Sequence, residues 1–163
     1  MIPSNLLHIG WSNDNPILTW FTPAQQVLAY YTKELNIPDG LINVPVLLWQ
    51  WDQDDEELYI HALDTLPCKE TQVCHAPLHN VYEDGRVCMG TGASHIQKAE
   101  TFKDMMDLVE RIFWNTRFSS IHNEAAVSGN LNTLHHELVT TSGPFPWERL
   151  IKTKQTLKQF LNY

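Results

Sequence analysis

The stretch "HNVYEDGRVCMG" (residues 79–90) combines a turn signal with one of the three cysteines in a chain of 163 residues. Residues 83–85, Glu-Asp-Gly, are typical of a tight turn, and Gly85 can adopt the positive φ that such turns often require. Cys88 follows directly, in a segment that predicts neither a long helix nor a long strand, and cysteines in such positions are often exposed enough to react. The alternative is a buried, structural cysteine between two apolar neighbours, and the residue types alone leave both open.

The composition predicts one globular domain that spans residues 1–163. Hydrophobic residues make up 43% of the chain, which is enough to build a sizeable core. The formal net charge of -8 argues against a nucleic-acid groove, because phosphate binding needs a basic surface. No apolar run approaches the length of a membrane span, and the N-terminal segment lacks the charged start of a signal peptide. Three cysteines without disulfide-scaffold spacing favour a reducing compartment, so we expect a cytoplasmic protein that binds neither nucleic acid nor membrane.

The first half of the chain predicts mainly strands. "PILTWFT" (16–22) is rich in aromatic and β-branched residues, which favour a strand. "VPVLLWQWD" (44–52) and "ELYIHALD" (57–64) flank an acidic turn and predict an antiparallel hairpin, and "ETQV" (70–73) predicts a further short strand. Residues 22–36 fit either a helix with Thr22 as its N-cap or a bent strand, and local signals do not separate these alternatives.

The second half predicts helices. "ETFKDMMDLVERIFW" (100–114) and "GNLNTLHHELV" (129–139) place apolar residues at helical spacing, and "PWERLIKTKQTLKQFLNY" (146–163) predicts a last helix that begins with a proline. Strands followed by helices indicate an α+β fold, with a short antiparallel β-meander followed by C-terminal helices. The last helix would carry a basic face, either merely solvated or a docking surface for an acidic partner. Its residues are Arg149, Lys152, Lys154 and Lys158.

The segment "NVYEDGRVCMG" (80–90) resembles the active-site segment of ubiquitin-conjugating enzymes. In that family an Asn, an aliphatic residue and a turn with a Gly lead into the catalytic Cys, and here Asn80 and Cys88 lie at the family's spacing, eight positions apart. Together with "HAPLHNVYEDGRVCMG" (75–90) and "TWFTPAQ" (19–25), it is most similar to the prokaryotic ubiquitin-conjugating-like proteins. The family's His-Pro-Asn aligns with residues 78–80, Leu-His-Asn, so only the Asn is in register, and no N-terminal helix is evident before Pro16.

The resemblance implies a function and its partners. Proteins of this kind are bacterial, and are encoded beside ThiF-like activating enzymes and JAB-type peptidases, in some cases in antiphage operons. It implies that Cys88 receives a ubiquitin-like protein from the adenylating enzyme as a thioester and passes it to an amine of a target protein. Asn80 would stabilise the oxyanion or hold its own loop, and these roles are compatible. No organic cofactor is expected on this chain.

Functions other than thioester transfer also fit these residues. A non-catalytic adaptor with the same fold would not use Cys88, and a cysteine hydrolase would pair Cys88 with His95 or His122 as the base. The segment "NTRFSSIH" (115–122), which includes Asn115 and Ser119, could border the site or could simply end a helix. Several potential metal ligands crowd one stretch, but they lack the short Cys-x-x-Cys pair of a zinc site, so we expect no metal. They are Cys68, Cys74, His75, His79 and Cys88.

Overall fold

A computed structural model describes residues 1–89, 96 and 99–162. Its main feature is an antiparallel sheet, next to a separate two-stranded sheet. In chain order the strands of the described residues are β1 (Leu6–Ser12), β2 (Asn15–Thr22), β3 (Gln25–Ala29), β4 (Gly40–Val44), β5 (Val46–Asp52), β6 (Glu57–Leu63), β7 (Gln72–His75) and β8 (Lys152–Thr156). The main sheet has the order β1-β2-β5-β6-β7-β8, and β3 pairs only with β4. The predicted α+β class is confirmed.

The helices are α1 (Phe102–Asn115), α2 (Leu131–Thr141) and α3 (Leu157–Phe160), with short 3-10 turns at Lys33–Leu35 and Trp147–Arg149. The first two confirm predicted helices. Thr101 caps α1 by accepting a hydrogen bond from the amide of Asp104, and Asn130 caps α2 in the same way. In the described residues, no helix combines the length and the apolar character that crossing a membrane requires.

The main core lies between one face of the six-stranded sheet, the β3–β4 pair and the two longer helices, with α2 packed against β4. Trp20 on β2 stacks on Trp49 of β5 at 6.1 Å, and Trp49 meets Phe113 of α1 edge to face at 5.5 Å. These large rings are buried, and such aromatic pairs add stability beyond the area they bury. The indole of Trp20 also donates to the carboxylate of Glu110 at 2.8 Å, which fixes α1 across the sheet.

The prediction of a single helix over residues 146–163 is wrong. The chain forms a 3-10 turn, then β8 paired with β7, and then the four-residue α3. The apolar spacing favours a helix locally, but the segment instead pairs with the free edge of β7, because this pairing satisfies the backbone hydrogen-bonding groups of β7. The side-chain amide of Gln72 on β7 also donates to the carbonyls of Thr153 and Gln155 on β8.

This correction also disperses the predicted basic face. Lys152 and Lys154 project from an edge strand, and Lys158 lies on α3. Arg149 instead donates to the carbonyl of Ser128 at 2.8 Å. α3 covers the second face of the sheet, where Leu157 packs in a small apolar cluster. That cluster is completed by Val46, Leu48, Leu63 and Val73.

The helical alternative for residues 22–36 is also wrong, and the strand alternative is confirmed at β3. Val27 lies opposite Ile42 in the β3–β4 pair, which turns the half-buried side chain of Val27 toward the core. An additional hairpin, β1–β2, precedes this pair. Because β8 follows α1 and α2, the predicted order of strands first and helices second is not strictly kept. The predicted β5–β6 hairpin and the short strand at β7 are confirmed.

A second hairpin, residues 80–88, is built onto the edge of β6. The amide of Gly85 donates to the carbonyl of Tyr82 at 2.9 Å, and the amide of Cys88 donates to the carbonyl of Asn80 at 2.9 Å. Since β7 pairs only with residues 61–63, the remaining edge of β6 is free for this hairpin. Ile60 donates to the carbonyl of Gly85, and the amide of residue 87 donates to residue 58, each at 2.8 Å. The turn predicted at residues 83–85 is confirmed.

Gly85 is required at this turn for two reasons. Its φ is +91°, a region that disfavours any side chain. A Cβ atom at this position would also collide with the imidazole of His61, which lies buried directly beneath the turn.

A cluster of buried polar rings joins α2 to the chain that leads into the hairpin. His135 on α2 lies 2.8 Å from the carbonyl of Pro77 through Nε2 and 2.7 Å from the hydroxyl of Tyr31 through Nδ1. A carbonyl only accepts, so Nε2–H donates to Pro77, and neutral Nδ1 accepts from Tyr31. His79 bonds the Asn132 side chain through Nε2 at 2.7 Å, and its Nδ1 has no partner within the described chain.

We expect Gly85→Ala to lower the free energy of unfolding by at least about 2 kcal/mol, because it combines a disfavoured φ with a steric clash. Gly10→Ala is the matched control, since its Cβ would meet only ordinary contacts from 3.6 Å outward. Urea denaturation measures both variants. Equal losses of stability in the two would contradict the requirement for glycine at the turn.

The buried histidines predict acid sensitivity. Burial, reinforced by the charge of His79, lowers the pKa of His135 to about 3, and burial with the charge of His75 lowers the pKa of His61 to about 4. Burial also lowers the pKa of His79. In the unfolded chain these imidazoles bind protons below their ordinary pKa of about 6.5, whereas the folded protein does not. Stability is therefore complete above pH 7 and falls as the pH falls toward 4.

As the pH falls, the free energy of unfolding should decrease by up to about 1.4 kcal/mol per pH unit for each buried histidine. Urea denaturation at pH 7, 6 and 5 measures it, and replacing the exposed His136 by Gln should leave the slope unchanged. A free energy of unfolding that is constant between pH 7 and pH 5 would show that the buried rings are protonated equally in both states.

Candidate active site

Cys88 lies at the open end of the hairpin and is exposed to solvent. Its amide is fixed by the carbonyl of Asn80, so the backbone that carries the thiol is held to the sheet through the hairpin. Cys68 is also exposed, whereas Cys74 is buried, and burial raises the pKa of the Cys74 thiol to about 11. The accessible thiols of the described chain are therefore those of Cys68 and Cys88.

A small, mostly apolar pocket opens beside Cys88. It lies between the hairpin and the C-terminal end of α1, so it brings together residues that are distant in the sequence. Its lining residues are Asn80, Val87, Cys88, Met89, Phe113, Thr116 and Phe118. The thiol therefore borders an apolar wall on one side and solvent on the other.

The side chain of Asn80 ties the hairpin to the loop that follows α1. Its Oδ1 accepts from the amide and the hydroxyl of Ser119, both at 3.1 Å, and from the amide of Ser120 at 3.2 Å. Its Nδ2 donates to the carbonyl of Arg117 at 3.0 Å. Asn80 itself has a φ of +63°, a conformation that asparagine tolerates better than most residues. We call these four hydrogen bonds the Asn80 clamp.

The clamp bears on two predictions. In the segment "NTRFSSIH", Asn115 is the last residue of α1, and Ser119 lies in the following loop and bonds the side chain of Asn80. The loop-holding role of Asn80 agrees with its hydrogen bonds, and the amide nitrogen carries a second N–H beyond the one that Arg117 accepts.

Arg117 secures the same loop from its other side. The guanidinium donates to the carbonyl of Tyr31 at 3.0 Å and forms an ion pair with Asp39 at 3.3 Å. Asp39 in turn accepts from the amide of Tyr31 at 2.8 Å. Through Tyr31, which also bonds His135, the loop is connected to the buried rings behind the hairpin. Sequence reasoning missed this connection, since its members are far apart along the chain and carry no local signal.

The ring of Tyr82, on the outer side of the hairpin, contacts the side chains of His122 and Arg86. The ring of His122 stacks on Tyr82 with 4.4 Å between centroids and 12° between planes, and the guanidinium of Arg86 lies 4.8 Å from the same ring. Within the described residues, His122 forms no hydrogen bond with Cys88, as a Cys-His pair in a hydrolase would. His95, the other candidate base, lies outside the described residues.

The potential metal ligands singled out in the sequence are not assembled into one site. Cys74 and His79 are buried, Cys68 lies on an exposed turn, and Cys88 lies on the hairpin. In the described part of the chain, no three His, Cys, Asp or Glu side chains are arranged to hold a metal ion.

Comparison with known proteins identifies the family of the chain. No curated protein and no solved structure matches the chain significantly. The sequence model of Prokaryotic E2 family D matches residues 1–153, which is most of the chain and includes both the hairpin and the loop that Asn80 holds. The chain therefore belongs to Prokaryotic E2 family D, a family related to ubiquitin-like conjugation.

Proposed function

We propose that this protein carries a ubiquitin-like modifier as a thioester on Cys88 and transfers it to an amine. The modifier would come from a ThiF-like activating enzyme. The observation that carries the proposal is the exposed thiol of Cys88 beside an asparagine whose side chain is held rigidly, in a chain of the prokaryotic E2 family.

The first step is a thiol exchange. The Cys88 thiolate attacks the carbonyl carbon of the modifier thioester, a new C–S bond forms, and the thiolate of the activating enzyme leaves. The free energy of the exchange is close to zero, because one thioester replaces another. Exposure of Cys88 supports this step, since the donor thioester must reach the sulfur.

The second step is aminolysis. An amine attacks the thioester carbonyl, the C–S bond breaks, and Cys88 leaves as a thiolate while an amide forms. Negative charge develops on the carbonyl oxygen, and the second N–H of the Asn80 amide is the donor that we assign to it. The Asn80 clamp supports this assignment, because a donor that is already fixed does not have to reorganise during the reaction.

The proposed transfer makes a prediction about the carrier cysteine. With an activating enzyme, ATP and the modifier of its system, the wild-type protein should gain an adduct that reductant removes. Cys88→Ala should abolish the adduct, and Cys88→Ser should give a reductant-resistant ester or none, because an alkoxide is harder to form than a thiolate. Intact-mass measurement and non-reducing gels follow the adduct.

Cys68→Ala is the matched control, since Cys68 is the other exposed cysteine of the described chain and should be dispensable. An adduct that persists in Cys88→Ala and disappears in Cys68→Ala would move the carrier to Cys68. A wild-type protein that never forms the adduct with verified partners would instead be an adaptor.

A further prediction separates the two roles of Asn80. Asn80→Asp retains the oxygen that accepts three hydrogen bonds from Ser119 and Ser120, but it loses the N–H donors and places a negative charge beside the oxyanion. Asn80→Ala loses the whole clamp and should also lower stability, by about 1 to 3 kcal/mol. If Asn80 is the oxyanion donor, discharge from preloaded protein should fall about a hundredfold in both variants.

Single-turnover discharge measures this effect without the loading step. If Asn80→Asp discharges the modifier at the wild-type rate while Asn80→Ala is unstable, then Asn80 only holds the loop and the oxyanion donor lies elsewhere.

A further inference from the structure

His122 is the side chain near the site whose chemistry the proposed function leaves unused. Its ring is half-buried and lies flat against Tyr82, which restricts the plane of the imidazole. Within the described residues neither ring nitrogen forms a hydrogen bond, and both lie at the ring edge rather than in the stack. An imidazole that is held in one plane, with no hydrogen bond to its nitrogens from the described chain, can accept a proton.

The backbone places His122 on the same side of the hairpin as Cys88. Val81 and Val87 are buried opposite one another, so Tyr82, Arg86 and Cys88 take the outer face, because side chains alternate along a strand. The segment that ends in His122 runs alongside the hairpin, since the amide of Asn80 donates to the carbonyl of Ser120 at 2.9 Å.

The site is thereby organised as two adjacent rows across the hairpin. One row contains Cys88, Asn80 and Ser120, and the other contains Arg86, Tyr82 and His122. The rows are two residues, or about 7 Å, apart along the strands, and the segment of His122 lies two strands from Cys88, about 10 Å across, because the Asn80 strand lies between them. The backbones of Cys88 and His122 are therefore roughly 12 Å apart. Because both side chains project from the same face, this separation accommodates the thioester carbonyl and an amine between the sulfur of Cys88 and the imidazole. Arg86 cannot take a proton, because a guanidinium remains protonated in proteins.

We propose that His122 is the general base that removes the proton from the attacking amine, an inference that rests on the proposed function. As the nitrogen bonds to the thioester carbonyl, a nitrogen of His122 takes one of its protons. The C–S bond then breaks, the electron pair leaves with the sulfur of Cys88, and the imidazolium returns its proton to that thiolate or to water. The substrate class is a primary amine with little intrinsic reactivity, such as the side chain of lysine.

The test loads Cys88 chemically, so that no partner protein is needed. In a Cys68→Ala background, Cys88 is acylated with the mercaptoethanesulfonate thioester of N-acetylglycine, and the product is confirmed by intact mass. Discharge is then timed with free lysine and, separately, with hydroxylamine. Hydroxylamine is largely unprotonated at neutral pH and attacks thioesters readily without a base, so it reports on the thioester and the oxyanion donor alone.

His122→Phe retains a ring that can stack on Tyr82 but removes both nitrogens. We expect discharge to lysine to fall about a hundredfold and discharge to hydroxylamine to remain at the wild-type rate. His136→Phe is the matched control, because His136 is an exposed histidine on α2, and it should discharge to both amines like wild type. Melting temperatures confirm that both variants are folded.

Each outcome decides the inference. An equal fall with both amines would make His122 a positioning residue and overturn its role as a base, and an unchanged rate with lysine would do the same. Protein that is acylated chemically but never loaded by verified partners would refute the proposed function, while the lysine-to-hydroxylamine ratio would still decide whether His122 acts on amines. A Cys88 that resists chemical acylation would overturn both.

Discussion

The geometry of the site depends on the side chain of one residue, Asn80. Its amide group closes four hydrogen bonds to a loop some forty residues further along the chain, and its backbone carbonyl holds the amide of Cys88. The hairpin that carries Cys88 and the loop that carries His122 are therefore fixed to one another by the buried side chain of Asn80 and by its backbone amide, which donates to the carbonyl of Ser120. A buried amide can occupy such a position only if its polar atoms are satisfied, and here the surrounding loop supplies every partner that Oδ1 uses.

The hairpin also depends on incomplete strand pairing within the sheet. β7 covers only the last residues of β6, and the hairpin takes the remaining edge. An uncovered edge would be open to association with another chain, so this arrangement protects the sheet and positions the segment of Cys88 at the same time. Beneath the turn, the space that a side chain at Gly85 would need is filled by the ring of His61. The requirements for stability and for the site therefore coincide at residues 80–88.

Local signals in the sequence were sufficient where the structure is local. The turn at Gly85, the β5–β6 hairpin and the helices α1 and α2 each carry their own pattern of turn residues or apolar spacing, and all are present. The C-terminal segment was mispredicted because its apolar residues fit helical spacing, whereas the free edge of β7 that recruits β8 lies about eighty residues earlier. The partners of Asn80 and Arg117 were not predictable for the same reason. Nonlocal hydrogen bonds leave no periodic signature in a single sequence, and "NTRFSSIH" fits a helix-ending loop as well as a segment beside the site.

The arrangement around Cys88 also suits the chemistry of the proposed transfer. A thioester is already activated, so the protein gains most by directing it toward an amine rather than toward water. Phe113 and Phe118 form an apolar wall on one side of the thiol, where water has few hydrogen-bonding partners. The open side carries Tyr82, with Arg86 and His122 against its ring. In the proposed reaction an incoming amine approaches from that side, since it is the one that offers polar contacts, and it meets the carbonyl carbon and a proton acceptor along the same path.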